Sequence, residues 1–301
     1  MSFVLDNAKY PPTYVTIAEV RNLPAGKKEV VADIRKTELK GRILKVESIS
    51  TDPNVAVKVM FKGDLWSPEE VNAMCLDHTA KFNIPCWSNF YLEVRNIGTS
   101  DIQNFAYRYG FWVLKPTIAD KIVSNISLTS NEKELAEKHK IYQLIEKGVL
   151  PLTLESFIKQ VYKPVFRYTI SWHGSVPIEG VEVARRYSPT GTILVLEGVA
   201  MDKPPDATYT TTLKISVDEE DFLEMRAQAM SGSTLDVPLF VPAVDSFSLN
   251  LTTNMAISAY NMRYTFSVVR LTKFLELLFG IIAAEEELSL YERIRVGLGP
   301  V

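Results

Sequence analysis

A chain of 301 residues is long enough for about two domains of ordinary size. Hydrophobic residues at 47% and charged residues at 23% describe a globular chain able to bury real cores. A net charge of −3 with no basic stripe excludes a phosphate-tracking nucleic-acid surface, and two cysteines with no histidine cluster beside them exclude a disulfide framework or a Cys–His metal site.

Residues 1–13 read as an N-terminal arm. The stretch has no basic n-region and no long apolar run, so the sequence predicts no secretory signal and a protein made in the cytoplasm. Pro11-Pro12 is expected to be extended and cannot enter a central strand, so the arm is expected to lie over another surface or stay partly disordered.

From Tyr14 onward the chain says nearly the same thing twice. Thr16-Ile17 returns as Thr169-Ile170, and Pro24 as Pro177. Gly41-Arg42-Ile43-Leu44 through Glu47 returns as Gly191-Thr192-Ile193-Leu194 through Glu197. Ile84-Pro85 aligns with Val237-Pro238, and Tyr109 to Lys115 with Tyr264 to Arg270. The partners stand 150 to 155 residues apart throughout, which predicts two copies of one domain: residues 14–117 and 167–272.

Within each copy the pattern is that of strands. Val55 to Phe61 is a short apolar run closed by Gly63, while Phe90 to Val94 and Phe247 to Leu251 alternate. Such runs, separated by Pro, Gly, Asn and Asp, predict an antiparallel β-sandwich with jelly-roll-like character in each copy. In the last strands, Tyr107, Tyr109, Phe111 and Val113, and Met262, Tyr264, Phe266 and Val268, are expected to face the cores. Arg108, Gly110, Trp112 and Leu114 then face outward, as do Arg263, Thr265, Ser267 and Val269. A short helix is expected in each copy, opened by Ser67-Pro68-Glu69-Glu70 and by Asp218-Glu219-Glu220-Asp221, with Val71 and Met74 matching Phe222 and Met225.

Residues 118–166 read as a helical connector. Thr129-x-x-Glu132 is a capping box, Leu135, Tyr142, Leu144 and Ile145 give an apolar face, and Gly148 ends it; a second helix starts at Thr153 and stops at Pro164. Residues 273–301 read as a C-terminal helix and tail. Their most apolar stretch, Phe274 to Ala284, is 11 residues with Glu276 inside it, against the ~20 that a transmembrane helix needs.

Catalytic signatures are absent: there is no nucleophile elbow, P-loop or dinucleotide fingerprint. His78, His139 and His173 have no counterparts in the other copy and no metal-type spacing. Glu47 with Glu197, and Asp52 with Asp202, recur between copies; outward strand positions and turn chemistry explain them better than an acid pair. Cys86 aligns with Leu239, which predicts a small core hydrophobe. The tryptophans Trp66, Trp87, Trp112 and Trp172 are confined to the first 172 residues. A contact surface is therefore expected among Trp112, Arg108, Arg263, Trp66, Trp172 and His173, with His173 in a loop beside Trp172.

In architecture this tandem arrangement resembles the double jelly-roll major capsid proteins of icosahedral viruses. The resemblance spans the whole chain and rests on the two copies; no sequence motif carries it. Each copy is compact for a jelly roll, with six to eight strands in about 105 residues, which leaves plain tandem sandwiches open. The resemblance implies a non-enzymatic, self-assembling subunit that forms homo-oligomers, trimers in that family, or joins other assembly subunits in a virion. No cofactor, no metal and no sequence-specific nucleic-acid contact are expected. The alternatives are a carbohydrate- or ligand-binding sandwich using the tryptophans, and a hydrolase on a sandwich scaffold.

Overall fold

The computed structural model describes residues 8–35, 39, 41–51, 57–62, 69–72, 80–87, 89–150, 162–206, 208–230, 237–272 and 274. The first half contributes β1 (Thr13–Leu23), β2 (Lys28–Arg35), β3 (Ile43–Thr51), β4 (Val57–Lys62), β5 (Glu69–Asn72), β6 (Ala80–Cys86), β7 (Asn89–Asn96) and β8 (Ile102–Leu114). The second contributes β9 (Phe166–Val176), β10 (Val181–Tyr187), β11 (Thr192–Met201), β12 (Thr211–Val217), β13 (Glu220–Arg226), β14 (Val237–Ala243), β15 (Ser246–Thr253) and β16 (Ile257–Arg270).

Strand order makes the two halves alike. One sheet of the first unit runs β6-β3-β8-β1 and the other β2-β7-β4-β5; the second unit runs β14-β11-β16-β9 and β10-β15-β12-β13. Adding eight to each strand number of the first unit gives the second. Every pairing is antiparallel, and the pairs of four-stranded sheets form two jelly-roll sandwiches in tandem.

The irregularities match as well. β3 bulges between Val46 and Ser48, and β11 between Leu196 and Gly198, so Glu47 and Glu197 both sit at the bulge. β2 shifts register between Val30 and Ala32, and β10 between Glu182 and Ala184. A bulge turns a strand locally, and these irregularities fall at matching points of the two sandwiches.

The cores follow from strand alternation. Tyr107, Tyr109 and Phe111 form a buried ladder on one face of β8, with ring centroids 6.5 and 5.9 Å apart. Met262, Tyr264, Phe266 and Val268 line the same face of β16 and are buried too. Val15 and Ile17 of β1 belong to the same continuous apolar cluster as Leu239 and Val241 of β14, so one core runs through both sandwiches.

The expected short helices are strands instead. Glu69–Asn72 is β5; Ser67, Pro68 and Met74 lie outside the described residues. At the matching point Asp218 and Glu219 form the two-residue turn of the β12–β13 hairpin, with φ of 51° and 65°. Positive φ at both positions suits the twist of a hairpin but is costly for residues other than glycine. The Asp218 carboxylate offsets that cost by accepting from the backbone N–H of Asp245 at 2.8 Å, Ser246 at 3.1 Å and Val244 at 3.3 Å. Phe222 and Met225, three apart, had suggested a helix period; both are buried within β13, with Glu224 exposed between Leu223 and Met225. Helical turns follow only at α4 (Ala227–Met230).

The connector holds α1 (Ile118–Val123), α2 (Ser130–Lys138) and α3 (Ile141–Glu146). Thr129 and Glu132 form the expected capping box at α2, and Thr117 with Asp120 forms another at α1. Ala119, Ala136 and Ile141 are the small core of this segment, and Gly148 takes φ +68° just past α3. The helix expected from Thr153 and all of the C-terminal helix beyond residue 274 lie outside the described residues.

The register also corrects one alignment. Cys86 pairs with Leu44, and Ala243 pairs with Leu194, the counterpart of Leu44. Cys86 therefore corresponds to Ala243 rather than Leu239, and Ile84-Pro85 to Val241-Pro242 rather than Val237-Pro238. The two β-X-Pro pairs in β14 made the sequence alignment ambiguous by four positions. Cys86 is fully buried, as a packing residue would be.

Candidate functional site

The two sandwiches meet edge to edge. β1 lies between β8 and β14, so the two smaller sheets fuse into one of eight strands, β6-β3-β8-β1-β14-β11-β16-β9. The β1–β14 ladder has a single register pair, Tyr14 with Phe240. Phe240 is flanked at alternate positions by Pro238 and Pro242, which carry no N–H to donate, and this limits the ladder to that rung. The Thr16 hydroxyl adds one bond to the Pro238 carbonyl at 3.1 Å.

Side chains supply the rest of the junction. On the outer sheet face Tyr14 packs on Trp112, and Trp112 on Phe240, with centroids 5.1 and 5.5 Å apart. Tyr162 meets Phe240 edge-on at 5.0 Å, and Ile43, Ile193, Val195, Val269 and Phe274 complete the cluster. Tyr14 crosses so close over Gly110 that a Cβ there would stand 2.0 Å from its hydroxyl. On the other side α4 packs against β1 and β8. The end of the N-terminal arm reaches the second sandwich: Ala8 is buried, and Lys9 pairs with Glu220 at 2.9 Å. Burial and the neighbouring Asp218 push the Tyr10 hydroxyl above its usual range.

At the far end of the sheet the same strand is bare. β9 stands in the second unit where β1 stands in the first, and no strand pairs with its outer edge among the described residues. Along β1, Thr13, Val15 and Ile17 are buried, Val15 completely. Phe166 and Tyr168, the counterparts of Thr13 and Val15, are 59% and 44% exposed, Ile170 in the place of Ile17 is half-buried, and Val165 beside them is 43% exposed. Tyr168 stacks on Phe266 at 5.2 Å and Phe166 meets Tyr168 at a tilt at 6.2 Å, so the core's aromatic ladder continues outward to an open edge. Where the first unit has Tyr14 against Trp112, the second has Arg167 against Ser267. Both turn to the bulge residue Glu197, with Arg167 Nε at 2.6 Å and the Ser267 hydroxyl donating at 2.5 Å; the Tyr162 hydroxyl donates at 2.8 Å. Glu197 lies on the outer face, as the sequence suggested, and is drawn there into a network with Tyr162, Arg167 and Ser267.

Among the described residues, those singled out in sequence are spread over β8, β16 and β9. Trp112 is on the outer face as expected, yet only 8% exposed, filling the junction. Its indole N–H is buried with no hydrogen-bond partner among the described residues. Arg108 lies on the same face of β8, half-buried, and burial pushes its guanidinium below its usual range. Arg263, its counterpart on β16, is exposed. Trp172 and His173 lie in β9 and not in a loop, so they fall on opposite sheet faces and cannot line one pocket together. Trp172 packs on the core, its ring 2.6 Å from where a Cβ on Gly174 would stand. His173 is exposed and its Nδ1 meets Asn261 Oδ1 at 2.7 Å. Asp202 caps that same Asn261, accepting from Nδ2 at 2.6 Å and from N at 3.2 Å, rather than closing a turn on its own backbone. Trp66, His78, Cys75 and Asp52 lie outside the described residues.

Elsewhere a shallow depression of about 380 Å³ opens on the β10-β15-β12-β13 sheet, lined by charged and polar groups. Both of its cations are already paired, Lys214 with Asp221 and Arg185 with Glu182, each at 2.7 Å. Among the described residues no three His, Cys, Asp or Glu side chains stand together as metal ligands, and no helix is long and apolar enough to cross a membrane. The β9 edge was missed in sequence. The signal for it was Tyr168 at the position of Val15, a large aromatic where the other copy keeps a smaller side chain.

No protein-family model matches the chain, and no curated protein matches it in sequence. Among solved structures it is similar to the STIV MCP, at 10% identity and TM-score 0.22, over 86% of this chain and 98% of that one. It is similar to infectious bursal virus derived T=1 particles, at 11% identity and TM-score 0.26, over 90% of this chain and 73% of that one. It is similar too to pumpkin seed globulin, at 11% identity and TM-score 0.21, over 96% and 95%. At these scores the likenesses carry no argument about function.

Proposed function

We propose that this chain is a structural, self-assembling subunit, a building block of a virion shell or a similar closed particle, and that its two sandwiches arose by duplication of one unit. One observation carries the reading: β9 exposes Phe166 and Tyr168 where its counterpart β1 is buried against β14. A long apolar edge strand left open is an aggregation hazard, which proteins cover or blunt. A subunit that assembles covers it with its neighbour. The domain pattern fits a modular role: an arm at 1–13, sandwiches at 14–117 and 167–272, a helical connector at 118–166 and a helix with tail at 273–301. Homo-oligomers are the expected state, with trimers of six sandwiches as the specific form.

Light scattering and negative-stain electron microscopy over a concentration series test this. Discrete oligomers or particles are expected. A monodisperse monomer at the highest concentration would sink the assembly reading.

A further inference from the structure

We infer that copies of this chain join head to tail through a β9–β6 contact that repeats the internal β1–β14 junction. The inference rests on the assembly reading and names the partner of the open edge: a second copy of this chain.

The argument is one of register. Within the chain, β1 of the first unit pairs with β14 of the second. β9 is the counterpart of β1, and β6 is the counterpart of β14. These two strands are the two ends of the eight-stranded sheet. Among the described residues each chain therefore mates one such pair of edges internally and leaves the other pair unmated, one at each end. A contact between unlike surfaces is heterologous, and repeated copies of it close into a ring or extend as a filament. At a spacing of about 4.8 Å per strand, the two ends lie roughly 34 Å apart across seven intervals, so the two end strands of one chain do not pair with each other.

Equivalence fixes the alignment. Tyr14 corresponds to Arg167, since Tyr14 pairs with Trp112 and Arg167 with Ser267. Phe240 corresponds to Asn83, since β6 and β14 meet β3 and β11 across the same bulge. The pair Tyr14–Phe240 thus becomes Arg167 of one copy opposite Asn83 of the next. Phe82 and Ile84 hold the register positions of Leu239 and Val241, which belong with Val15 to the continuous core. Phe82 would arrive opposite Tyr168, and Ile84 opposite Phe166. Pro85 holds the position of Pro242, so this join is also short in backbone bonds and depends on side-chain packing, as the internal one does.

The test uses the full chain with Cys75→Ser and Cys86→Ala, and adds Asn83→Cys with Arg167→Cys. Directly opposed residues bring their Cβ atoms to about 4.5–5.5 Å, near the separation a disulfide closes. Mild oxidation should give covalent multimers of the double variant on a non-reducing gel, and none of either single variant. Phe166→Lys with Tyr168→Lys, both at exposed positions, should keep the circular dichroism spectrum and reduce the crosslinked yield at least tenfold. Covalent dimers from Arg167→Cys alone would mean a two-fold β9–β9 contact and overturn the inference. Oligomers that persist without crosslinks would overturn it while leaving the assembly reading intact. A monomer throughout, with β9 amides protected from hydrogen exchange, would mean that the chain's own residues cover the edge, and both readings would fall.

Discussion

Gly110 is glycine because of a neighbour's ring and not because of its own backbone angles. A Cβ would stand 2.0 Å from the Tyr14 hydroxyl and 2.7 Å from the Ser48 hydroxyl, and the Tyr14 ring is itself held by Trp112. Gly110→Ala should cost about 1–3 kcal/mol, the usual range for overpacking, measured as a shift in urea midpoint at constant slope. Asp218 holds a strained hairpin by accepting three backbone N–H groups. Asp218→Ala should cost about 1–3 kcal/mol by the same measurement, because donors in a tight turn lose their acceptor. Glu19 gives the pH dependence. Burial alone would raise its carboxyl, but hydrogen bonds from the Tyr107 hydroxyl at 2.7 Å and from Arg21 override that and hold it below the usual carboxylate range. A carboxyl depressed in the folded state adds stability above its unfolded value, about 4.3, and that stability is lost as pH falls through the folded value. Glu19→Gln should therefore be less stable at pH 7 and show a shallower loss between pH 5 and pH 2 in denaturation midpoints. Of these three positions, sequence comparison drew attention to Gly110 and Asp218 without explaining either. The Glu19 network joins β1 to β8, residues 88 apart, and no local pattern announces it.

At the scale of elements, strands announced themselves wherever one face was apolar and the other polar. The last strand of each sandwich was legible residue by residue, because side chains alternate across the pleat. The β12–β13 hairpin was misread because an acidic turn followed by apolar residues three apart satisfies both a capped helix and a strand. The strand won because Leu213, Ile215 and Val217 on β12 offer a buried partner. β11 carries a further prediction. Glu197 at the bulge accepts from Tyr162 and Ser267 and pairs with Arg167. Glu197→Ala should lower stability by about 1–3 kcal/mol in thermal unfolding, by stranding those donors, and Glu197→Gln should recover part of it.

Across the whole molecule, the junction decides whether the sandwiches behave as one body. Trp112 is wedged between Tyr14 and Phe240, one from each sandwich. Trp112→Ala should remove about 3–5 kcal/mol, typical of a large aromatic truncated in a core. Calorimetry should then resolve two transitions in place of one cooperative transition, as each sandwich loses the support of the other. The outward face read from sequence was right for Trp112, but the tryptophan is spent inside the chain, and the open aromatic surface stands five strands away at β9.

The sequence by itself determined the two sandwiches, their core faces, the capped helix at Thr129 and the counterpart relations between most strands. These are set by short-range patterns of polarity, turn residues and caps, repeated at a fixed distance. Only the tertiary structure decided that, among the described residues, β1 is covered and β9 is not, that Cys86 answers to Ala243, and that Trp172 and His173 part to opposite faces. Those outcomes depend on which edges meet and where a bulge shifts the register, and such contacts join residues far apart in the chain. Two copies of nearly one pattern can therefore occupy opposite roles, one edge sealed and its twin left open.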